Sequence, residues 1–360
     1  MDRKEIEAAR QAGIIDDAKA AELEAFLLAE RGPGTSSDDE SLRFLANFND
    51  IFISVGLVLL SIGMVLGSGL MFGSTGSAII ILLPVLVALW ALLEYFAGRR
   101  RLLLPSMTLS VVFGGIATLL TALVASGFSN ADSLVGNAIG SFGEGIDTVN
   151  TFGVWGGLGG MAAAGAIYAR FRLPFSLFLI ALGVAFIFYV TSATNGNAGA
   201  VFSGAASFVI GLVTLVVAIV FDGRDPARKS LPSDNAFWLH MAAAPQIMLG
   251  LRALLSGGVY SSVGSGEALV LLLALAGFSI LSLALNRRAL IAAGLLSFWV
   301  SISALASGTG NATISIVLPL LLLGGGIVLL GAGWKTARRM VLAVLPDTGI
   351  FARIFPPEPA

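Results

Sequence analysis

Apolar residues in this chain come in long uninterrupted runs, separated by short polar connections. Ten such runs stand out, near 51–72, 78–97, 105–126, 152–169, 174–192, 199–221, 236–257, 267–285, 290–307 and 312–333. Crossing about 30 Å of hydrocarbon takes about 20 helical residues, and each run meets or approaches that length. A stretch such as Ile79-Ile80-Ile81-Leu82-Leu83 would also suit a buried strand, but ten of them in one chain do not fit a soluble core. Within lipid, only helices and closed barrels satisfy the backbone, and barrel strands would alternate apolar with polar residues. The pattern therefore predicts an all-α fold, a polytopic transmembrane bundle of about ten spans.

The spacing of basic residues predicts orientation. They fall in every second connection: Arg99 to Arg101, Arg170 with Arg172, Arg224 with Arg228 and Lys229, Arg287 with Arg288, and Lys335 with Arg338 and Arg339. The intervening connections hold no basic residue, but they do hold Asp132, Glu144 and Asp147. The positive-inside rule then places both termini in the cytoplasm. Composition agrees with a lipid solvent: 56% of the 360 residues are hydrophobic and 12% charged, with mean hydropathy +0.91. A soluble domain carries about 25% charged residues. The formal net charge of −1 gives no reason to expect a nucleic-acid partner.

The first fifty residues differ in character, holding six of the 21 basic and twelve of the 22 acidic residues. Residues 1–31 are expected to form a cytosolic helical hairpin. Asp16 would cap its second helix, and Ile6, Ala9, Ile14, Ile15, Leu23, Phe26 and Leu27 would form the seam. It serves either as a charged prefix that holds the N-terminus inside or as a docking module for a protein partner. Residues 32–49 are a linker and interfacial segment, 50–334 the transmembrane domain, and 335–360 a cytosolic amphipathic tail.

The basic hairpins share a weak repeat: Arg-Arg-Arg-Leu-Leu-Leu-Pro-Ser ending at Ser106, Arg-Phe-Arg-Leu-Pro-Phe-Ser ending at Ser176, and Arg-Lys-Ser-Leu-Pro-Ser ending at Ser233. It reflects either the common need for a basic anchor and a helix start, or duplicated helical hairpins. Glycine is abundant at 44 residues. Gly63 with Gly67, Gly156 with Gly160, and Gly324 to Gly333 have spacings that allow close helix approach.

Little in the chain points to chemistry. There is no cysteine and a single histidine, so neither thiolate catalysis nor a histidine-based metal cluster within one chain is expected, and no cofactor is implied. Ionisable groups inside a membrane are by default functional candidates. Glu94 lies near the cytoplasmic end of the second span, where pairing with Arg99 to Arg101 would explain it. The seventh span carries His240, Pro245, Gln246 and Arg252, with a kink expected near Met241 to Pro245. His240, Gln246, Arg252 and Glu94 are the candidates for ligand or transport contacts. His240 and Arg252 lie about 18 Å apart along the axis, too far to form one site alone.

Three stretches, Ala-Gly-Ile-Ile-Asp (12–16), Phe-Asn-Asp-Ile-Phe (48–52) and Ser233 to Pro245, resemble a class of uncharacterised bacterial multi-pass predicted membrane proteins with a short cytosolic helical N-terminus. The resemblance implies a bacterial inner-membrane location, with membrane lipid as surroundings, and transfers no catalytic residue. Two functions remain open: a non-catalytic scaffold or accessory membrane subunit, and a small-solute or lipid transporter with a site near the seventh span. An enzyme is not expected, since no acid, base or nucleophile cluster stands out.

Overall fold

The computed structural model describes residues 6, 10, 12, 14–16, 19, 20, 22, 23, 48–72, 75–125, 146–193, 196–225, 230–257, 264–307 and 312–344. The chain divides into two units, Met1–Arg43 and Phe44–Ala360. In the first, the Asp16 carboxylate accepts from the Lys19 N–H at 2.7 Å, which makes it the expected N-cap. Ile6 and Ala20 are buried, but Ile14 is exposed and does not join the predicted seam. Ile15 and Leu23 are half-buried; Ala9, Phe26 and Leu27 of the seam, and all but Phe48 and Asn49 of the 32–49 segment, lie outside the described residues.

The second unit is all-helical among its described residues. Its helices are α1 (Phe48–Phe72), α2 (Thr75–Leu93) with a π-helical extension over Glu94–Arg100, α3 (Leu103–Ala125), α4 (Ile146–Phe171), α5 (Phe175–Ala193), α6 (Gly196–Arg224), α7 (Leu231–Ser256), α8 (Ser265–Leu285), α9 (Ala289–Ser307) and α10 (Ala312–Leu342). Each overlaps one apolar run, and most extend past it, because polar residues at a span's ends keep the same backbone bonds. The largest shift is in α10, which continues as helix to Leu342, well into the expected 335–360 tail. Among the described residues, Leu82–Arg100, Leu103–Ala125, Gly204–Arg224 and Ser265–Leu285 are long and apolar enough to cross a membrane, and α10 counts as a fifth if its two bent parts, Ile316–Leu329 and Gly331–Leu342, are one span.

Hydroxyls inside these apolar helices are satisfied locally. Ser54, Ser61, Ser110, Thr118, Thr121, Thr191, Thr214 and Ser279 each donate to the carbonyl four residues earlier, which lets a polar residue sit in an apolar helix at little cost.

Two hydrophobic cores form. One joins α1 to α5 through Leu57, Leu89, Leu93, Leu109, Leu123, Ile167 and Phe175, with Trp90 tilted against Phe113 and Phe171. The other joins α6 to α9 through Leu215, Ala243, Ala244, Ile247, Leu285 and Leu290. α7 packs against α5, α6, α8 and α9, and its Trp238 meets Phe175 edge-on at 4.8 Å. It thus ties the two cores together, alongside the direct packing of α5 on α6.

Glycine acts in two ways. A Cβ on Gly159 would lie 2.0 Å from Thr121, one on Gly153 2.0 Å from Val190, and one on Gly250 2.4 Å from the backbone nitrogen of Phe208. These positions need glycine for α3–α4, α4–α5 and α6–α7 to touch. Gly63, Gly67, Gly324, Gly325, Gly326, Gly331 and Gly333 face open space, contrary to the expectation that their spacing marks helix contacts. Spacing shows which residues share a face, not whether a partner covers it.

Arg101 and Arg172 adopt left-handed backbone at φ 54° and 55°, each just before a leucine, and Asn286 does so at φ 52°. The first two of the basic hairpins therefore share a turn geometry as well as a sequence. The third differs, since Ser230 is extended and Pro232 opens α7.

Candidate functional site

The sequence candidates fall into separate places. Glu94 lies on the π-helical turn that ends α2, where its carboxylate accepts from Arg170 of α4 at 2.8 and 3.1 Å. The expected partners were Arg99 to Arg101, but the ion pair is made across helices. The π-helical winding carries Arg100 instead to the Tyr95 hydroxyl, at 3.1 Å. With side-chain exposures of 59% for Arg170 and 35% for Glu94, the pair is well solvated, and such pairs contribute about 0–1 kcal/mol.

Gln246 is buried on α7. Its amide Nε2 donates to the Ala181 carbonyl of α5 at 3.4 Å, while its backbone carbonyl accepts from the Ser207 hydroxyl of α6 at 2.9 Å. It therefore faces neighbouring helices, as a polar group in lipid must. α7 stays helical through Pro245, so no break in secondary structure accompanies the predicted kink. Arg252, near the far end of α7, is half-buried, and its carbonyl accepts from Ser256.

His240 belongs to the one dense polar cluster found among the described residues. Its Nε2 lies 2.8 Å from Asp222 Oδ2. A carboxylate only accepts, so Nε2 carries the hydrogen. The Arg287 guanidinium grips the same carboxylate through Nε at 3.1 and 3.2 Å and through Nη2. That Nη2 also donates to the Ser233 hydroxyl at 2.9 Å and to the Ser233 carbonyl at 3.2 Å. All four residues are buried, His240 completely.

Local structure explains how the cluster assembles. Asp222 lies in the last turn of α6, where the helix dipole disfavours a carboxylate, and Arg287 and His240 offset that cost. α7 starts cleanly because Asp225 accepts from the Ser230 N–H at 2.7 Å and from its hydroxyl at 2.6 Å. Side chains lean toward a helix's N-terminus, so the His240 ring lies back toward Ser233 and meets Asp222 there. Arg287 reaches the cluster because left-handed Asn286 ends α8 sharply, and the Arg287 N–H bonds the Ser282 carbonyl at 2.9 Å. Trp334 of α10 fixes this turn by donating to Asn286 Oδ1 at 2.8 Å.

One carboxylate thus fastens α6, α7 and the α8–α9 turn. Sequence reasoning missed Asp222, Ser233 and Arg287, because charges at span ends read as ordinary interfacial anchors. Asp222 and Ser233 each lie two residues inside the facing ends of α6 and α7, which puts them at one level, but the residue that bonds both is Arg287, 65 residues from Asp222. His240 Nδ1 and Gln246 Oε1 are buried without a hydrogen-bond partner. Among the described residues no group of three His, Cys, Asp or Glu could hold a metal ion. No family model, curated protein or solved structure matches this chain.

Proposed function

We propose that the chain is a ten-span integral protein of the bacterial inner membrane, with both termini cytoplasmic, acting as a non-catalytic scaffold or accessory membrane subunit. One observation carries this reading: Glu94, His240 and Gln246 each bond a group on another helix, at three separate places. Asp222 is fully engaged by His240 and Arg287, Glu94 by Arg170, and Gln246 by Ala181. In such a protein, polar groups fix helix positions, and binding falls to the exposed surfaces and the N-terminal region.

The topology is tested by cysteine labelling in intact cells. Cysteines at Ser129 and Ser262 are expected to react with an impermeant thiol reagent, and one at Ser230 is not; labelling at Ser230 refutes the orientation. A transporter is the second reading, favoured by the unpartnered His240 Nδ1 and Gln246 Oε1 on α7, which packs against both cores. Gln246→Leu separates the two: a scaffold changes in thermal stability alone, whereas a transporter loses solute-dependent stabilisation at unchanged fold.

A further inference from the structure

We infer that the Asp222–His240–Arg287 cluster is an acid-sensitive latch: His240 Nδ1 is an internal proton acceptor, and a proton taken up there releases the start of α7 from α6 and the α8–α9 turn. The latch goes beyond the scaffold reading and does not depend on which way the chain crosses a membrane. Three observations lead to it.

The first is that the ring is held from one side only. Nε2 donates to Asp222 at 2.8 Å, so in the neutral imidazole Nδ1 is a bare acceptor. That atom is buried without a hydrogen-bond partner, on a residue that is 0% exposed. The second is that the charges balance only while the ring is neutral. Arg287 grips the same carboxylate through Nε and Nη2, one positive charge against one negative. The third is what else surrounds the ring. α7 packs against α5, α6, α8 and α9. α5 has Tyr189 near its far end and no charged side chain, and α9 has no titratable one. Besides Asp222, α6 has Arg224, which is exposed and lies 5.4 Å from the Phe221 ring centre. The one charge on α8 is Glu267, which accepts from the Gly264 N–H at the end away from Arg287. The α8–α9 turn adds Arg288, stacked on Trp334. α7 itself adds Asp234, exposed in its first turn, and Arg252, three turns beyond His240. Among the described residues, Asp222 is the only carboxylate that bonds the ring.

Imidazole is the side chain whose charge changes between about pH 5 and 8. In the closed cluster, a proton on Nδ1 makes a buried N–H without an acceptor. It also puts a second cation on a carboxylate that Arg287 already neutralises. Both are costly in a dry interior. The new charge attracts Asp222, but Arg287 repels it and cancels part of that attraction. Once the cluster opens, the ring meets water, where an imidazole takes up a proton at about pH 6.5. Opening is therefore coupled to proton uptake. The form that binds more protons is favoured as pH falls, so acid favours the open form and neutral pH the closed one. Opening parts Arg287 from Asp222 and Ser233, and the start of α7 comes free.

The test uses the purified full-length protein. His240 is the only histidine in the chain, so isotope labelling of histidine nitrogens lets NMR read this ring alone. Ring signals and amide hydrogen exchange over residues 230–240 and 282–290 are followed from about pH 8 to about pH 5. His240→Gln is the control, since its amide keeps an N–H for Asp222 and cannot take a charge. The ratio of wild-type to variant exchange at each pH removes the intrinsic pH dependence of exchange. The expected ring is neutral and protonated on Nε2 at the upper end of the range. As the imidazolium appears, the opening ratio is expected to rise, approaching about tenfold per pH unit for one proton taken up. An imidazolium already present in the protected cluster at the upper end overturns the latch. So does an imidazolium that forms with protection unchanged or increased, and so does a ring that stays neutral throughout. If the variant does not fold, the wild-type ring signal and its reversible loss of protection decide by the same outcomes.

Discussion

α7 and α10 treat their side chains in opposite ways. α7 carries Ser233, Asn235, His240 and Gln246, and all four are buried. α10 carries Ile316, Leu318, Leu321, Val328 and Leu329, and all five are exposed. A soluble protein would reverse this. Lipid tails are as apolar as leucine, so burying leucine against protein gains little, while an unpaired polar group in hydrocarbon costs several kcal/mol. Polar residues therefore seek the interior, and large aliphatic residues are left outside. For this chain, the polar content of an apolar helix is a better guide to burial than its hydropathy.

The sharpest way to break that contrast is to remove the charge that α7 depends on. Asp222→Ala strands Arg287 and His240 inside, and the expected loss is about 3–5 kcal/mol, read as a fall in detergent-solubilised thermal stability. Next comes Gly250→Ala, which drives a methyl group into the Phe208 backbone at 2.4 Å. Because backbone cannot rotate away, α6 and α7 must separate, at a cost of about 1–3 kcal/mol or more. Glu94→Gln breaks a solvated pair, and a change under about 1 kcal/mol is expected. Smallest is Gly325→Ala, where the new methyl meets nothing within 4 Å; its stability is expected to stay within about 0.5 kcal/mol of wild type. A reversed order of the Gly250 and Gly325 variants would mean that α10, not α7, is the packed helix.

These positions also show what the sequence could tell. The ten helices were legible, since apolar run length depends on local composition alone. That α7 is special was legible as well, because it gathers His240, Pro245, Gln246 and Arg252 in one span. The partners were not. Asp222 and Arg287 are 65 residues apart, and each stands at a span end where water alone would explain its charge. Glu94 was assigned to the nearest arginines, yet the π-helical turn directs it to Arg170, 76 residues on. Glycine spacing at Gly63 and Gly67 matched that at Gly156 and Gly160, while only the second pair touches neighbouring atoms. Which faces meet is set by the packing of the whole bundle, and no local pattern encodes it.

The central claim is that one buried carboxylate holds α6, α7 and the α8–α9 turn together. A double-mutant cycle between Asp222→Ala and Arg287→Ala in the purified protein tests it most directly. If the two residues act as one fastening, the double variant is far less destabilised than the sum of the singles, with a coupling of about 2–3 kcal/mol. Additive losses, with a coupling near zero, would mean that the two charges act independently and that the fastening does not exist.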